Sequence, residues 1–188
     1  QYPEFTDPRR YCSASSFILD GEFIALAEDG TPSFYEIMKR DSLRSATSIQ
    51  RAIKQTPVTY MIFDVLYLDG IWVTDRPLVE RQQLLESIVQ PQPDVQLVSN
   101  MSDPRMLYDV VKEHAMEGIV CKQLHSTYAV GGKDRRWLKL KVFHDLIAVI
   151  GGVTYRGNLV NSLLLGLYDE DRFVYIGHAG TGKLSQAD

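Results

Sequence analysis

The chain has 188 residues, 45% of them apolar, 23% charged and 10% aromatic, with a formal net charge of −4. This is ordinary globular composition, which excludes collagen-like, low-complexity and intrinsically disordered chains. The mild acidity gives no support to bulk nucleic-acid binding, although a local basic patch can still supply it.

The length allows one domain, or one and part of a second. The longest apolar run, Leu146-Ile147-Ala148-Val149-Ile150, is far short of the roughly 20 residues a spanning helix needs. The opening Gln1-Tyr2-Pro3-Glu4 has neither the basic nor the apolar region of a secretory signal. The two cysteines, Cys12 and Cys121, form no CxxC and have no histidine at ligand spacing. Neither a zinc site nor a disulfide framework is expected, and a reducing, cytoplasmic setting is. The first residue is not Met, so the sequence reads as a piece of a longer protein.

Phe17 to Leu26 is rich in strand formers, and Glu28-Asp29-Gly30 supplies the turn after it. Ser33-Phe34-Tyr35-Glu36 predicts a capping box and a short helix through Lys39. Residues 41–56 show a weak helical pattern among many polar side chains. Val58 to Leu68 predicts a long strand. Alternation puts Val58, Tyr60, Ile62 and Asp64 on one face and Thr59, Met61, Phe63 and Val65 on the other. Asp69-Gly70 is a turn. Two helices follow. The first takes Thr74 or Asp75 as cap, with Pro77 in its first turn and Leu78, Leu84, Leu85 and Ile88 as its apolar stripe. The second takes Asp103 as cap and Pro104 at its first position, with Leu107, Val110 and Val111 inside. Val95 to Val98 is a strand between them.

Strands are expected near Gly118–Lys122 and from Arg136 to Val142, separated by a Gly131-Gly132 turn region. From about Phe143 the helix signal stops. Strands at Leu146–Tyr155, Leu159–Tyr168 and Phe173–Ala179 alternate with turns at Arg156-Gly157-Asn158 and Asp169-Glu170-Asp171. Three strands are too few to close a barrel, so the start of a small all-β domain is expected.

The segment KDRRWLKLK, Lys133 to Lys141, carries five basic residues against one acidic. Alternation places Trp137, Lys139 and Lys141 on one face and turns Leu138, Leu140 and Val142 to the core. Two lysines at i and i+2 stand about 7 Å apart on a rigid strand. That spacing suits clamping a polyphosphate, and a strand showing its lysines to water satisfies the same pattern. Leu19-Asp20-Gly21-Glu22 puts two carboxylates on one strand face, a pair that can hold Mg²⁺. A close backbone approach at Gly21 beside two solvated acids reads equally well. Glu117 and Lys122 bracket an apolar strand with opposite parity, so only a bend at Gly118 would bring them together. Phe63 is a core aromatic by default, or a ring that stacks on a nucleobase. His114, His125, His144 and His178 are scattered and read as structural or exposed. No P-loop, GxGxxG, HExxH or GxSxG is present.

In chain order the blocks are LDGE (19–22), FDVLYLDG (63–70), EGIVCK (117–122), WLKLK (137–141) and YIGHAGTG (175–182). This series resembles the nucleotidyltransferase core of the ATP-dependent DNA ligases, the bacterial end-joining type above all. The resemblance implies an α+β fold. A partial adenylation (nucleotidyltransferase, ATP-grasp-like ligase) domain would cover 1–142, and the beginning of an OB-fold β-barrel 143–188. It implies ATP and Mg²⁺ as cofactors and nicked or broken duplex DNA as partner, in repair and recombination. Glu22 would contact the ribose or Mg²⁺, Phe63 would stack on adenine, and Glu117 would help hold the metal. Lys122, Lys139 and Lys141 would surround the phosphates, with Lys133 beside them.

In the family a lysine attacks the α-phosphate of ATP and releases pyrophosphate. The AMP then passes to a 5′-phosphate at a nick, and the 3′-hydroxyl displaces it. That lysine lies in a K-x-D-G motif upstream of LDGE, and no lysine of this sequence is followed by x-D-G. The chain is therefore expected to start downstream of its nucleophile and to be unable to self-adenylate. Exposed sheet edges would favour self-association or a retained N-terminal fragment. RNA ligases and capping guanylyltransferases share similar blocks. A non-catalytic nucleotide- or DNA-binding module also fits a chain without the nucleophile.

Overall fold

The structure is a computed structural model and describes residues 1–114, 116–143, 145–180 and 182. His144 lies outside the described residues, as does Thr181 of the YIGHAGTG block. The fold is α+β, in two compact units, Gln1–Val142 and Phe143–Asp188. Among the described residues no helix is long and apolar enough to cross a membrane.

The first unit opens with two 3-10 turns, Pro3–Phe5 and Pro8–Arg10. They are fixed by contacts distant in sequence. Tyr2 stacks on Phe23 at 4.6 Å between ring centroids. The fully buried Arg40 pairs with Glu4 at 2.5 Å and donates to the Thr56 carbonyl at 2.9 Å. A buried guanidinium must be paired in this way or its desolvation goes uncompensated.

Strand β1 (Phe17–Ala25) runs antiparallel along the whole of β2 (Val58–Leu68). A two-residue strand, β3 (Ile71–Trp72), which the sequence pattern did not mark, pairs with the end of β2. Strand β4 (Val95–Leu97) lies parallel to Tyr60–Ile62. The alternation expected for β2 fails in its middle. Ile62 and Val65, three residues apart, both belong to the core cluster. The register shifts between Asp20 and Gly21, where Phe63 has no Cα partner on β1, and this bulge absorbs the odd residue. At Gly21 a β-carbon would lie 2.6 Å from the Met61 carbonyl oxygen and 2.6 Å from the Tyr60 ring, so only glycine lets the strands close.

Helix α1 (Phe34–Ser42) starts where the capping box predicts: the Ser33 hydroxyl accepts from the Glu36 N–H at 3.3 Å. It runs three residues past Lys39. The ambiguous stretch 41–56 contains helix α2 (Ala46–Gln55), capped by Ser45. Helix α3 (Leu78–Ile88) corrects the expected cap, because Pro77 stands at the N-cap and no side chain caps the helix. The first N–H groups of α3 are satisfied elsewhere in the chain. Leu78 N–H donates to the Ser126 carbonyl and Val79 N–H to the Leu124 carbonyl, both at 3.0 Å. Leu85 and Ile88 carry α3 onto the sheet, against Ile62, Val65, Val73 and Val95. Helix α4 (Pro104–Glu113) is capped by Asp103, which accepts from Arg105 N–H at 2.9 Å and Met106 N–H at 3.3 Å.

Strands β5 (Gly118–Lys122) and β6 (Trp137–Lys141) form a separate two-stranded antiparallel sheet. Leu138 and Leu140, expected in the core, are 49% and 44% exposed. A two-stranded sheet has too little covering structure to bury both of its faces. The second unit is a three-stranded antiparallel meander of β7 (Val149–Arg156), β8 (Leu159–Asp169) and β9 (Arg172–Gly180). Gly157 and Glu170, with φ of 63° and 53°, make its two turns.

Candidate functional site

The β5–β6 register brings the predicted lysines together. Lys122 lies opposite Trp137, Val120 opposite Lys139, and Gly118 opposite Lys141. Cross-strand partners share a face, so Lys122, Trp137, Lys139 and Lys141 project from one side of the sheet. Ile119, Cys121, Leu138 and Leu140 take the other.

The four lysines sit in different environments. The Lys122 ammonium is 4.1 Å from the centroid of Phe63 and 3.9 Å from that of Trp137. It is therefore held between a ring of β2 and a ring of β6, a cation–π arrangement. Burial pushes its pKa down, and the charges of Asp64 and Asp20 partly offset this. Lys141 donates to Glu117 at 2.7 Å, and this hydrogen bond holds the Glu117 carboxyl below its ordinary range. Lys141 is 50% and the Glu117 side chain 82% exposed, so the pair is a weak tether. Lys133 and Lys139 have no ion-pair partner among the described residues. Both line a cavity of about 470 Å³ with Tyr128, Gly131, Asp134 and Trp137.

The bend needed at Gly118 is present, since its φ is +150°. It delivers Glu117 to Lys141 and not to Lys122. Phe63 stands at the β2 bulge, half-buried, with the Trp137 ring edge-on at 5.9 Å. Glu22 is exposed and has no ion-pair partner among the described residues. Its neighbour Asp20 is engaged: Tyr128 Oη donates to Asp20 Oδ2 at 2.6 Å.

Beneath this surface lies a buried ion pair. Arg81 Nε and Nη2 donate to the two oxygens of Asp64, each at 2.8 Å, with both side chains fully buried. The same guanidinium donates to the Arg76 carbonyl at 2.6 Å and the Ser126 carbonyl at 3.2 Å. It thus ties β2, α3 and the loop after β5 into one support. Sequence reasoning missed Arg81, Tyr128 and the role of Asp20. One signal was legible: Arg81 falls on the stripe of Leu78, Leu85 and Ile88, where a charge requires a buried acid. For Tyr128 the sequence carries no such signal.

Burial raises the Tyr128 phenol well above its ordinary pKa, reinforced by its hydrogen bond to Asp20, and burial pushes Tyr60 up to about 12. Both shifts favour the neutral phenol in the folded state. Their stabilisation is fully present below the unfolded value near 10 and is lost as pH rises above it. The thermal midpoint is expected to fall as pH rises from about 10 towards 12. Tyr60→Phe should flatten that fall, as melting curves across this range will show.

Residues 1–141 match the family described as the ATP dependent DNA ligase domain. The DNA ligase 2 of Methanosarcina mazei is 31% identical over 93% of this chain and 33% of its own length. The chain thus spans about a third of the length of the curated relatives it matches. Among solved structures, the ligase domain of M. tuberculosis LigD is 27% identical, with a TM-score of 0.58, covering 99% of this chain and 57% of that one. Mycobacterial DNA ligase D complexed with ATP and MES is also 27% identical with a TM-score of 0.58, over 96% of this chain and 56% of that one.

Proposed function

Because the chain belongs to the ATP-dependent DNA ligase domain family, we infer that it carries nucleotide-binding walls of an enzyme that seals nicks or breaks in duplex DNA through lysyl-AMP and DNA-adenylate intermediates. The observation that carries this reading is the set of Lys122, Lys139 and Lys141 on one sheet face beside Phe63. The solved relative titled as an ATP complex supports ATP as the nucleotide.

In this reading Phe63 stacks on the adenine ring, and Lys133 and Lys139 meet the phosphates as fixed positive charges. Lys141 is drawn from Glu117 towards the phosphates, and Lys122 stabilises the charge that develops on the α-phosphate. Its desolvated ammonium counts for more there than it would in water. The meander of the second unit supports reading residues 143–188 as opening strands of an OB domain.

In this reading Mg²⁺ relies on single carboxylates with retained waters and not on a preformed cluster. Among the described residues no three His, Cys, Asp or Glu side chains cluster to hold a metal. Mg²⁺ does not need such a cluster, because it keeps several waters and binds through one or two carboxylates and substrate phosphates. Glu22 and Glu117 would hold it, and it would neutralise phosphate charge.

The sequence contains no K-x-D-G lysine, so self-adenylation of this chain is not expected. Intact mass before and after incubation with ATP and Mg²⁺ tests this. An unchanged mass is expected, whereas a gain of one AMP would identify another nucleophile and contradict the reading.

A further inference from the structure

We propose that Tyr128 is a positioning residue that sets the spacing of the two sheets carrying the site, an inference that rests on the nucleotide reading above. The β1–β2 sheet supplies Glu22 and Phe63, and the β5–β6 sheet supplies Lys122, Trp137, Lys139 and Lys141. The box around the Lys122 ammonium takes one ring from each sheet: Phe63 at 4.1 Å and Trp137 at 3.9 Å. Its closure therefore depends on how far apart the sheets stand.

Tyr128 touches both sheets. Its phenol donates to Asp20 on β1 at 2.6 Å, and its ring meets Trp137 on β6 edge-on at 5.7 Å. Its own place is fixed from behind. Its N–H donates to the Thr74 carbonyl at 2.8 Å, and the Arg81 guanidinium lies 5.7 Å from its ring centroid. Arg81 in turn is clamped by the buried Asp64 and holds the Ser126 carbonyl. A phenol donating to a carboxylate is a charge-assisted hydrogen bond, short and directional. It suits fixing a distance between two elements that share no strand pairing.

Two readouts test this in the chain as it stands. The first is the rate at which acetic anhydride modifies Lys122 relative to Lys139, resolved by peptide mass spectrometry. In the native chain Lys122, boxed between two rings at 4.1 and 3.9 Å, should react more slowly than Lys139, because the rings block the reagent's approach by more than the lowered pKa of Lys122 raises its free-amine fraction. In Tyr128→Phe and in Asp20→Ala the ratio should rise several-fold while the thermal transition stays cooperative. The double variant should add little, because both changes delete one hydrogen bond. The second readout is ATP affinity, which should weaken about tenfold in each variant, the low end of what a hydrogen bond to a charged group is worth.

An unchanged lysine ratio in both folded variants overturns the proposal. So does a ratio that rises only together with loss of the cooperative transition, since that marks a merely structural residue. If the native chain binds no ATP while the lysine ratio responds, the nucleotide reading fails and the spacing role of Tyr128 stands.

Discussion

Replacing Asp64 by alanine is expected to destabilise the fold by about 3–5 kcal/mol, the range for removing one partner of a buried ion pair. The change leaves the Arg81 guanidinium fully buried and without its carboxylate. Two backbone carbonyls, those of Arg76 and Ser126, remain as its acceptors, and neutral acceptors compensate a buried charge poorly. A loss of this size is a large share of the 5–15 kcal/mol that holds a typical domain together. Urea unfolding followed by circular dichroism measures it. The double variant Asp64→Leu with Arg81→Met should be milder than Asp64→Ala, because it removes both charges and their desolvation. A loss below about 1 kcal/mol for Asp64→Ala would mean that water reaches the pair and that it is not the support of the site.

The second large effect is expected at Gly118. Its φ of +150° is one that side chains with a β-carbon rarely adopt, and a β-carbon there would lie 2.1 Å from the Leu140 carbonyl oxygen and 2.8 Å from the Lys141 Cα. Both clashes are with backbone of the paired strand, so no rotamer change relieves them. Gly118→Ala must either push β5 off β6 or change its own φ. Backbone strain of about 1–3 kcal/mol adds to overpacking of similar size, so a loss of about 2–6 kcal/mol is expected in the same urea assay. The damage should also be local. Amide exchange at Val120 and Lys139, opposite each other in the ladder, should quicken more than exchange at Ile62 in the main sheet. Equal stability and unchanged exchange would show that β5 can shift at no cost.

Much of the first unit was legible because its signals are local. Ser33 and Asp103 cap the helices they were expected to cap, each with a side-chain oxygen on the first turn's N–H groups. The lysine face follows from period-two alternation and survives because β6 is regular from Trp137 to Lys141. The second unit's strands follow from turn residues between apolar runs. What stayed hidden depends on contacts far apart in sequence. The bulge at Phe63 is set by pairing with Asp20 and Gly21, some 40 residues earlier, and it breaks the alternation that period-two reading assumes. The start of α3 is fixed by carbonyls of Leu124 and Ser126, which no capping rule can anticipate. Lys122 and Phe63 were expected to meet a nucleotide separately. In the fold they meet each other, because Trp137 closes the space between the two sheets.

In the proposed reading the β5–β6 face and Phe63 together form a binding surface for ATP. Calorimetric titration of ATP into the chain, with Lys139→Ala and Phe63→Ala as comparators, tests it most directly. One saturable site is expected in the native chain, with affinity lowered about tenfold or more in each variant, as the loss of a charge-assisted phosphate contact or of a stacked base implies. Absence of saturable binding in the folded native chain, or binding that neither substitution changes, would contradict it.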